Sequence, residues 1–229
     1  MLIRLRKLSE NYIASLLMPK LILLRHLKSQ WNKESRFTGW VDIPLAKGQQ
    51  KKVKEIAKKV FKFKIDRIYT SPLFRNEDTV VKLLQYGKKY PVFAHLDGGK
   101  MQKWATFKQI NKAGVPVFVS QALNERHYGR LQGLNKELMM KKYGKEKVRV
   151  WRIGYGSKPP GGESLRQVVT RTTLFYKKFI AKDLRQGKNV LVVASHHSLR
   201  AIVKYVEKIS DKDIINVEIP YGGIKIYNS

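Results

Sequence analysis

Two short apolar segments that each run into a histidine constrain the fold of this chain most strongly. One is Leu21–Arg25 followed by His26, and the other is Val190–Ser195 followed by His196. Aliphatic runs without polar alternation are typical of parallel strands that helices cover on both faces. Ligands of such sheets bind beyond the carboxyl ends of the strands. The pattern therefore predicts an α/β fold whose two histidines share one pocket, although unrelated histidines that merely end two strands would look the same.

Length and composition fit a single domain over residues 18–229. The chain has 229 residues, of which 43% are hydrophobic, enough for one well-buried α/β core. It has no cysteine, so disulfides, thiolate metal sites and cysteine nucleophiles are excluded. We expect no metal site, because His196 and His197 are adjacent and lack helical i, i+4 spacing. No apolar run is long enough for a membrane span.

The net charge of +30 leaves two interpretations open. A basic surface binds phosphate backbones, so a nucleic-acid partner is one of them. The lysines are spread over nearly every segment, however, and a generally lysine-rich composition would give the same charge. An anionic substrate would also be steered by such a field.

Residues 1–17 are basic and contain a single acid, Glu10. They resemble an amphipathic targeting peptide in composition. Met18 lies immediately before the first strand, so a start of translation at Met18 would make them a dispensable extension.

Hydrophobic periodicity predicts further elements. Residues 48–61 fit an amphipathic helix, and residues 65–70 fit a strand. Ser71 and Pro72 predict the N-cap and first residue of a helix that carries Arg75 in its first turn. Residues 87–120 are interpreted as an insertion with irregular structure, and residues 148–162 as a loop. A long helix is expected over 163–184, and a helix capped by Ser198 follows the second histidine. Two segments, 218–220 and 224–227, are expected to close the sheet.

The polar residues at the predicted crevice indicate phosphate chemistry. Fixed cations and helix amino-termini around one imidazole suit a multiply charged phosphate. Cationic neighbours lower the pKa of an imidazole, which leaves it neutral and able to attack phosphorus. Glu125 is then the natural proton donor and acceptor, although a structural salt bridge from Glu125 to Arg126 or Arg152 stays an alternative. The residues expected at the crevice are Arg25, His26, Asn32, Arg75, Glu125, Lys136, Arg152 and His196.

From Met18 to Tyr227 the chain resembles the cofactor-dependent phosphoglycerate mutases of the histidine phosphatase superfamily. The resemblance lies in an ordered series of motifs, each in its expected place along the chain. They are Arg25-His26 with Ser29, Trp31 and Asn32; Arg36 to Leu45; Thr70 to Arg75; Leu123 to Gly129; Leu131 to Lys136; Trp151-Arg152; Pro160 to Leu165; and His196 with Ser198 to Lys204. The stretch Lys100 to Trp104 looks like an insertion carried by one bacterial branch.

The resemblance implies a three-layer sandwich with a mostly parallel sheet and a cytoplasmic glycolytic and gluconeogenic enzyme, expected to be a homodimer. Its reaction would interconvert 3-phosphoglycerate and 2-phosphoglycerate, primed by 2,3-bisphosphoglycerate and without metal. By similarity His26 would be the phosphorylated nucleophile, Glu125 the acid and base, and His196 a partner at the phosphoryl group. The substrate-binding residues would be Arg25, Ser29, Asn32, Thr38, Gly39, Arg75, Tyr128, Lys136, Arg152 and His197.

Several positions depart from the family pattern. Leu27 and Lys28 stand where the family has Gly-Glu, and Ile153 replaces a second arginine. The single residue His197 stands where the family has Gly-Asn, and the family's carboxy-terminal tail is absent beyond Tyr227. A side chain at a glycine position can block a close backbone approach, and a less enclosed site would admit water. A phosphatase of the same superfamily and a catalytically degraded nucleic-acid-binding protein are therefore the rival interpretations.

Overall fold

A computed structural model describes residues 18–229, so the predictions for residues 1–17 lie outside the described part. Six strands form one sheet in the order β3-β4-β2-β5-β1-β6. Neighbouring strands are parallel, except that β6 runs antiparallel to β1. The strands are β1 Lys20–Arg25, β2 Arg67–Thr70, β3 Tyr90–His95, β4 Gly114–Val119, β5 Val190–Ala194 and β6 Ile224–Asn228.

Helices cover both faces of the sheet. Over residues 18–229 none of them is long and apolar enough to cross a membrane. A π-helical turn over Tyr176–Ile180 joins α7 to α8 into one long helix. The helices are α1 Gln30–Lys33, α2 Gln50–Val60, α3 Phe74–Tyr86, α4 Gly99–Trp104, α5 Lys136–Tyr143, α6 Lys145–Ile153, α7 Leu165–Phe175, α8 Ala181–Arg185 and α9 His196–Val206.

Alternate side chains of β1 enter two separate cores. Leu21 and Leu23 pack in a cluster with residues of α7 to α9. Ile22 and Leu24 pack on the opposite face with residues of α2 and α3. Because both faces are covered, β1 is apolar at every central position, as the uninterrupted run predicted. The predicted three-layer α/β sandwich with a mostly parallel sheet is confirmed.

The register of β1 and β5 brings the two histidines to one edge of the sheet. The strands pair in parallel, with Arg25 opposite Ala194. The backbone N–H of His26 continues this ladder and donates to the carbonyl of Ala194 over 3.1 Å. His196 begins α9 two residues after Ala194. Both imidazoles therefore leave the backbone at the carboxyl ends of adjacent strands.

The prediction of irregular structure for residues 87–120 is wrong. This segment contributes β3 and β4, and β4 lies inside the sheet, paired with both β3 and β2. Only the excursion between them, which contains α4, lies outside the sheet. The sequence pattern did not indicate these strands because each contains a proline, Pro91 or Pro116, which cannot donate a hydrogen bond to a neighbouring strand.

Three predicted helix boundaries also differ. The helix after β2 begins at Phe74, and Asp42 caps it by accepting the Phe74 N–H over 2.8 Å, so Ser71 and Pro72 precede the helix. Residues 148–153 belong to α6 and are not loop. Ser198 lies inside α9 and its hydroxyl donates to the Leu123 carbonyl over 2.8 Å, so it is not the N-cap.

Candidate active site

A cavity of about 230 Å³ opens at the carboxyl edge of the sheet, between the ends of β1 and β5. All the predicted site residues except Ser29 line it. Six further residues line it, of which the sequence analysis had singled out only Ile153, as a departure from the family pattern; the others are Arg36, Phe37, Arg200, Glu218 and Tyr221. Arg36 and Arg200 fall inside segments quoted for the family resemblance, which was the one available signal for them. Glu218 was assigned to a segment that closes the sheet, which is wrong because it lies in the loop before β6; nothing in the sequence pattern distinguished Tyr221 from an ordinary loop residue.

The ring of His26 is held in one tautomer. Its Nδ1 lies 2.6 Å from the carbonyl oxygen of Leu27. A carbonyl only accepts hydrogen bonds, so Nδ1 carries the proton and Nε2 keeps its lone pair. The ring is 2% exposed. Burial, followed by the charges of Arg75 and Arg25, holds the pKa of His26 well below its ordinary value, so this imidazole is neutral near pH 7, as predicted.

Arg75 is a buried, fixed cation. Its side chain is 1% exposed in the first turn of α3. The guanidinium donates to the carbonyls of Gly39 over 2.7 Å and Val41 over 3.1 Å. Burial lowers its pKa only to about 10, so the charge is retained at neutral pH. Arg75 therefore presents a rigid positive charge to the cavity and ties the loop around Gly39 to α3.

Arg25 and Lys136 add cations from two other elements. The Arg25 guanidinium lies 3.8 Å from the ring centroid of Tyr221 and donates to the Ile219 carbonyl over 2.7 Å. Lys136 is the first residue of α5, which Asn135 caps. Burial, followed by the charges of Arg152 and Arg25, lowers the pKa of Lys136 to about 8.

The loop after β1 is built to present Asn32, Thr38 and Gly39. Ser29 is fully buried and caps α1 in a reciprocal pair with Asn32. It does not line the cavity, so its position supports Asn32 and not a direct substrate contact. Gly39 has φ of +55°, and a Cβ there would approach the Gln132 side chain to 2.0 Å. The left-handed backbone at this position favours glycine, and a larger side chain would have to displace Gln132.

Glu125 is fully engaged as a carboxylate. Its oxygens accept the backbone N–H groups of Arg126, His196 and His197, over 2.7, 3.1 and 3.3 Å. The Nδ1 of His197 lies 2.7 Å from Oε1. Burial alone would raise the pKa of Glu125, but His197, then His196 and the Arg126 amide, hold it well below the ordinary range. Glu125 is therefore ionised. Among the described residues its side-chain partner is His197, and not the Arg126 or Arg152 side chain that the sequence offered as an alternative.

One expectation about anion binding needs correction. The helix starts were expected to present free amides to a phosphate. The first amides of α9 are instead taken by the Glu125 carboxylate, and the Phe74 amide of α3 by Asp42. His197, predicted to bind substrate, lines the cavity, with its Nδ1 facing Glu125 and its Nε2 3.1 Å from the Arg152 carbonyl. Positive side chains, not helix amides, make the cavity attractive to anions.

His196 lines the cavity with an unsatisfied nitrogen. Its Nε2 lies 3.3 Å from Glu218 Oε2, at an angle that makes no hydrogen bond. Glu218 is itself held by Arg200 over 2.7 Å, and one guanidinium nitrogen of Arg200 is also buried without a partner. Burial, then the charges of His197, Arg25 and Arg200, lowers the pKa of His196 strongly, so this ring is also uncharged.

The departures from the family motifs have visible consequences. Leu27 is fully buried in the core that packs on α2 and α3, and its backbone does not require a glycine. Lys28 is exposed, with its backbone N–H donating to Gln49 over 2.9 Å. Neither side chain lines the cavity, whereas Ile153 does and leaves an apolar patch there.

Within residues 18–229 no group of three or more histidine, cysteine, aspartate or glutamate side chains is placed to hold a metal ion. The fold and the site together define an α/β protein with a cationic pocket, made for phosphorylated anions, around a neutral imidazole. The chain belongs to the histidine phosphatase superfamily, branch 1, whose family model matches residues 21–98 and 101–228.

Individual relatives agree with this assignment. A 2,3-bisphosphoglycerate-dependent phosphoglycerate mutase of Methanococcus vannielii is 41% identical over 215 residues, which cover 92% of this chain and 91% of the relative. A protein of the same name from Protochlamydia amoebophila is 38% identical and covers 92% and 95%. Among solved structures, a mycobacterial glucosyl-3-phosphoglycerate phosphatase superposes with a TM-score of 0.72 at 22% identity, covering 91% and 92%, which supports the fold.

Proposed function

We propose that this chain is a 2,3-bisphosphoglycerate-dependent phosphoglycerate mutase, which interconverts 3-phosphoglycerate and 2-phosphoglycerate through a phosphohistidine at His26. Relatives that carry this name are 41% and 38% identical over more than nine-tenths of both chains. The observation that carries the proposal is the free Nε2 lone pair of His26 in a cavity ringed by cations. A neutral imidazole with a lone pair is the nucleophile that phosphoryl transfer through nitrogen requires.

The cavity fits a doubly phosphorylated primer. A molecule with two phosphoryl groups and a carboxylate needs several cations, and six basic side chains line the cavity, namely Arg25, Arg36, Arg75, Lys136, Arg152 and Arg200. 2,3-Bisphosphoglycerate supplies, when bound, the phosphoryl group that charges His26. We assign substrate contacts to Arg25, Asn32, Thr38, Gly39, Arg75, Tyr128, Lys136 and Arg152.

His26 carries the phosphoryl group between two oxygens of the substrate. In the charged enzyme, the substrate hydroxyl oxygen bonds to phosphorus while the bond from Nε2 breaks, and the lone pair returns to the ring. Nε2 then attacks the phosphoryl group on the neighbouring oxygen, whose bond to phosphorus breaks. Arg25 and Arg75 stabilise the charge on the transferring oxygens.

Glu125 moves the proton that accompanies each transfer. Its carboxylate accepts the proton of the attacking hydroxyl group and returns it to the oxygen that His26 next releases from phosphorus. The ionised state of Glu125 in the ligand-free protein suits the first of these steps. His196 contributes its uncharged ring, whose Nε2 has no hydrogen-bond partner within residues 18–229, as a contact for the phosphoryl oxygens.

We also propose a cytoplasmic homodimer. Its small phosphorylated substrates are metabolites of central carbon metabolism, which supports a cytoplasmic site. Strand β3 lies at the end of the sheet and exposes Tyr90, which supports pairing between copies through this edge. Light scattering coupled to gel filtration tests the dimer, and a monomer at micromolar concentration would contradict it.

A coupled assay for 2-phosphoglycerate, with and without primer, tests the function. We expect turnover by wild type only with primer and none by His26→Ala. His95→Ala, at the end of β3 and outside the cavity, is the matched control and should behave like wild type. Turnover by His26→Ala would contradict the proposal. Release of phosphate from the primer faster than isomerisation would instead favour the phosphatase, and salt-sensitive RNA binding without turnover the nucleic-acid alternative.

A further inference from the structure

We propose that His197 is a positioning residue for Glu125, whose ring commits one carboxylate oxygen to hydrogen bonds and leaves the other to carry the proton. The inference rests on the proposed function, in which Glu125 is the acid and base. It replaces the substrate-binding role that the sequence suggested for His197.

The two oxygens of Glu125 have unequal surroundings. Oε1 accepts the Arg126 N–H over 2.7 Å and the His197 N–H over 3.3 Å, and the ring Nδ1 of His197 lies 2.7 Å away. Among the residues that the structure describes, the only donor to Oε2 is the His196 N–H, over 3.1 Å. Three donors exhaust the acceptor capacity of Oε1, so Oε2 keeps the free lone pair. The carboxylate thus has one structural and one reactive oxygen.

The ring of His197 is locked in this orientation. Its side chain is 5% exposed, and the opposite nitrogen, Nε2, faces the Arg152 carbonyl at 3.1 Å. The ring of Tyr128 packs edge-on with a centroid distance of 6.2 Å, and the ring of His196 lies at 5.5 Å. The single proton of the neutral ring is on Nδ1 and is donated to Glu125, and Nε2 is turned toward a protein carbonyl, so His197 acts on the reaction only through Glu125.

Several charged groups bear on this pair. Burial lowers the pKa of His197, Glu125 raises it, and the guanidinium groups of Arg200 and Arg126 lower it further. Removal of the Nδ1 donor leaves these cations in place but takes away the shortest side-chain contact to Glu125. The proton affinity of Glu125 should then rise, because a hydrogen bond to the charged form favours that form.

Three substitutions of His197 distinguish the effect of its Nδ1–H donor on Glu125 from the effect of the other parts of the ring. Asparagine places an amide nitrogen near the position of Nδ1, so H197N keeps a donor for Glu125. Glutamine places its amide near Nε2, so H197Q keeps the Arg152 contact and loses the Glu125 donor. Leucine fills a similar volume with no donor at all, so H197L removes both contacts.

Glu125 is measured directly by carbon NMR of carboxyl-labelled glutamate against pH, with its signal assigned by its loss in E125Q. We expect H197L and H197Q to raise the titration midpoint by about one unit or more, a tenfold gain in proton affinity. H197N should stay within about half a unit of wild type. The acid limb of the kcat profile should shift upward by the same amount in each variant.

The result that overturns the proposal is a midpoint in H197Q or H197L equal to that of wild type, or equal shifts in H197N and H197Q. If H197L fails to fold, the comparison of H197N with H197Q decides the question alone. The NMR midpoint needs no turnover, so the two failures are distinguishable: wild-type protein without primer-dependent mutase activity would refute the proposed function, whereas an unshifted midpoint in an active enzyme would refute only the positioning of Glu125 by His197.

Discussion

Restoring the family's glycine at position 27 should damage this protein. The Leu27 side chain is fully buried among the aliphatic residues that pack on α2 and α3, and makes no part of the cavity. Only its backbone serves the site: its carbonyl accepts from His26 Nδ1 over 2.6 Å. Leu27→Gly therefore keeps the contact that sets the tautomer and removes a core side chain.

The expected loss can be estimated from this burial. Truncation of a buried leucine to alanine costs about 2–5 kcal/mol, because a cavity remains beside the transferred atoms. Glycine adds on the order of 1 kcal/mol through backbone entropy. For a domain of this size each kcal/mol lowers Tm by roughly 2–4 °C. We expect a fall in Tm of about 10 °C, with kcat within about threefold of wild type at a temperature where both are folded.

Thermal unfolding and the primed mutase assay check the two expectations, and urea unfolding gives the loss of stability itself. Lys28→Ala is the neighbouring control, because Lys28 is exposed and should change the stability by less than about 0.5 kcal/mol. A rise in kcat of Leu27→Gly without loss of stability would refute the reasoning. It would show that Leu27 obstructs the site.

Three further predictions concern charge. Because burial lowers the pKa of Lys136 to about 8, KM for phosphoglycerate should rise several-fold from pH 7.5 to 9, and Lys136→Arg should flatten this rise; an unchanged slope in the variant would contradict it. Glu218→Gln removes a negative charge from a cavity for anions and should lower KM several-fold in steady-state kinetics, whereas a higher KM would oppose this. Burial, then Asp42, raises the pKa of Glu77 to about 7, so ionisation of Glu77 destabilises the folded state as pH rises from about 4.5 through 7. Urea unfolding of Glu77→Gln should show a stabilisation of about 1 kcal/mol at pH 8, after allowance for partial solvent screening, and a smaller one at pH 5; an equal gain at both would contradict the assignment.

The sequence was most informative where one physical requirement dominated. A strand covered on both faces must be apolar at every position, so β1 and β5 were recognisable, and their carboxyl ends located His26 and His196. The apolar spacing of α2 was equally clear, and Val53 and Ile56 are buried as it predicted.

The predictions for α3 and His197 failed to capture contacts between residues far apart in sequence. The start of α3 was assigned to Ser71 from neighbouring residues, but its cap comes from Asp42, 32 residues away in sequence. The role of His197 depends on which of two adjacent rings turns toward Glu125, and this is decided by a contact across 72 residues. No local pattern carries such information.

The strands β3 and β4 were missed for a different reason. Each contains a proline, and their flanks are rich in lysine and glycine. Local propensity argued against strands, but the pairing of β4 with β2 and of β3 with β4 overrode it. Glu218 and Tyr221 were missed because they lie in the loop before β6, which folds back over the cavity.

The central claim is that His26 carries the phosphoryl group on Nε2, since Nδ1 is bound to the Leu27 carbonyl. Incubation with labelled 2,3-bisphosphoglycerate, an alkaline quench and separation of the two phosphohistidine isomers test it most directly. We predict one labelled histidine, His26, modified at Nε2, and no label in His26→Ala. Label at Nδ1, label on His196, or turnover with no labelled histidine would contradict the account.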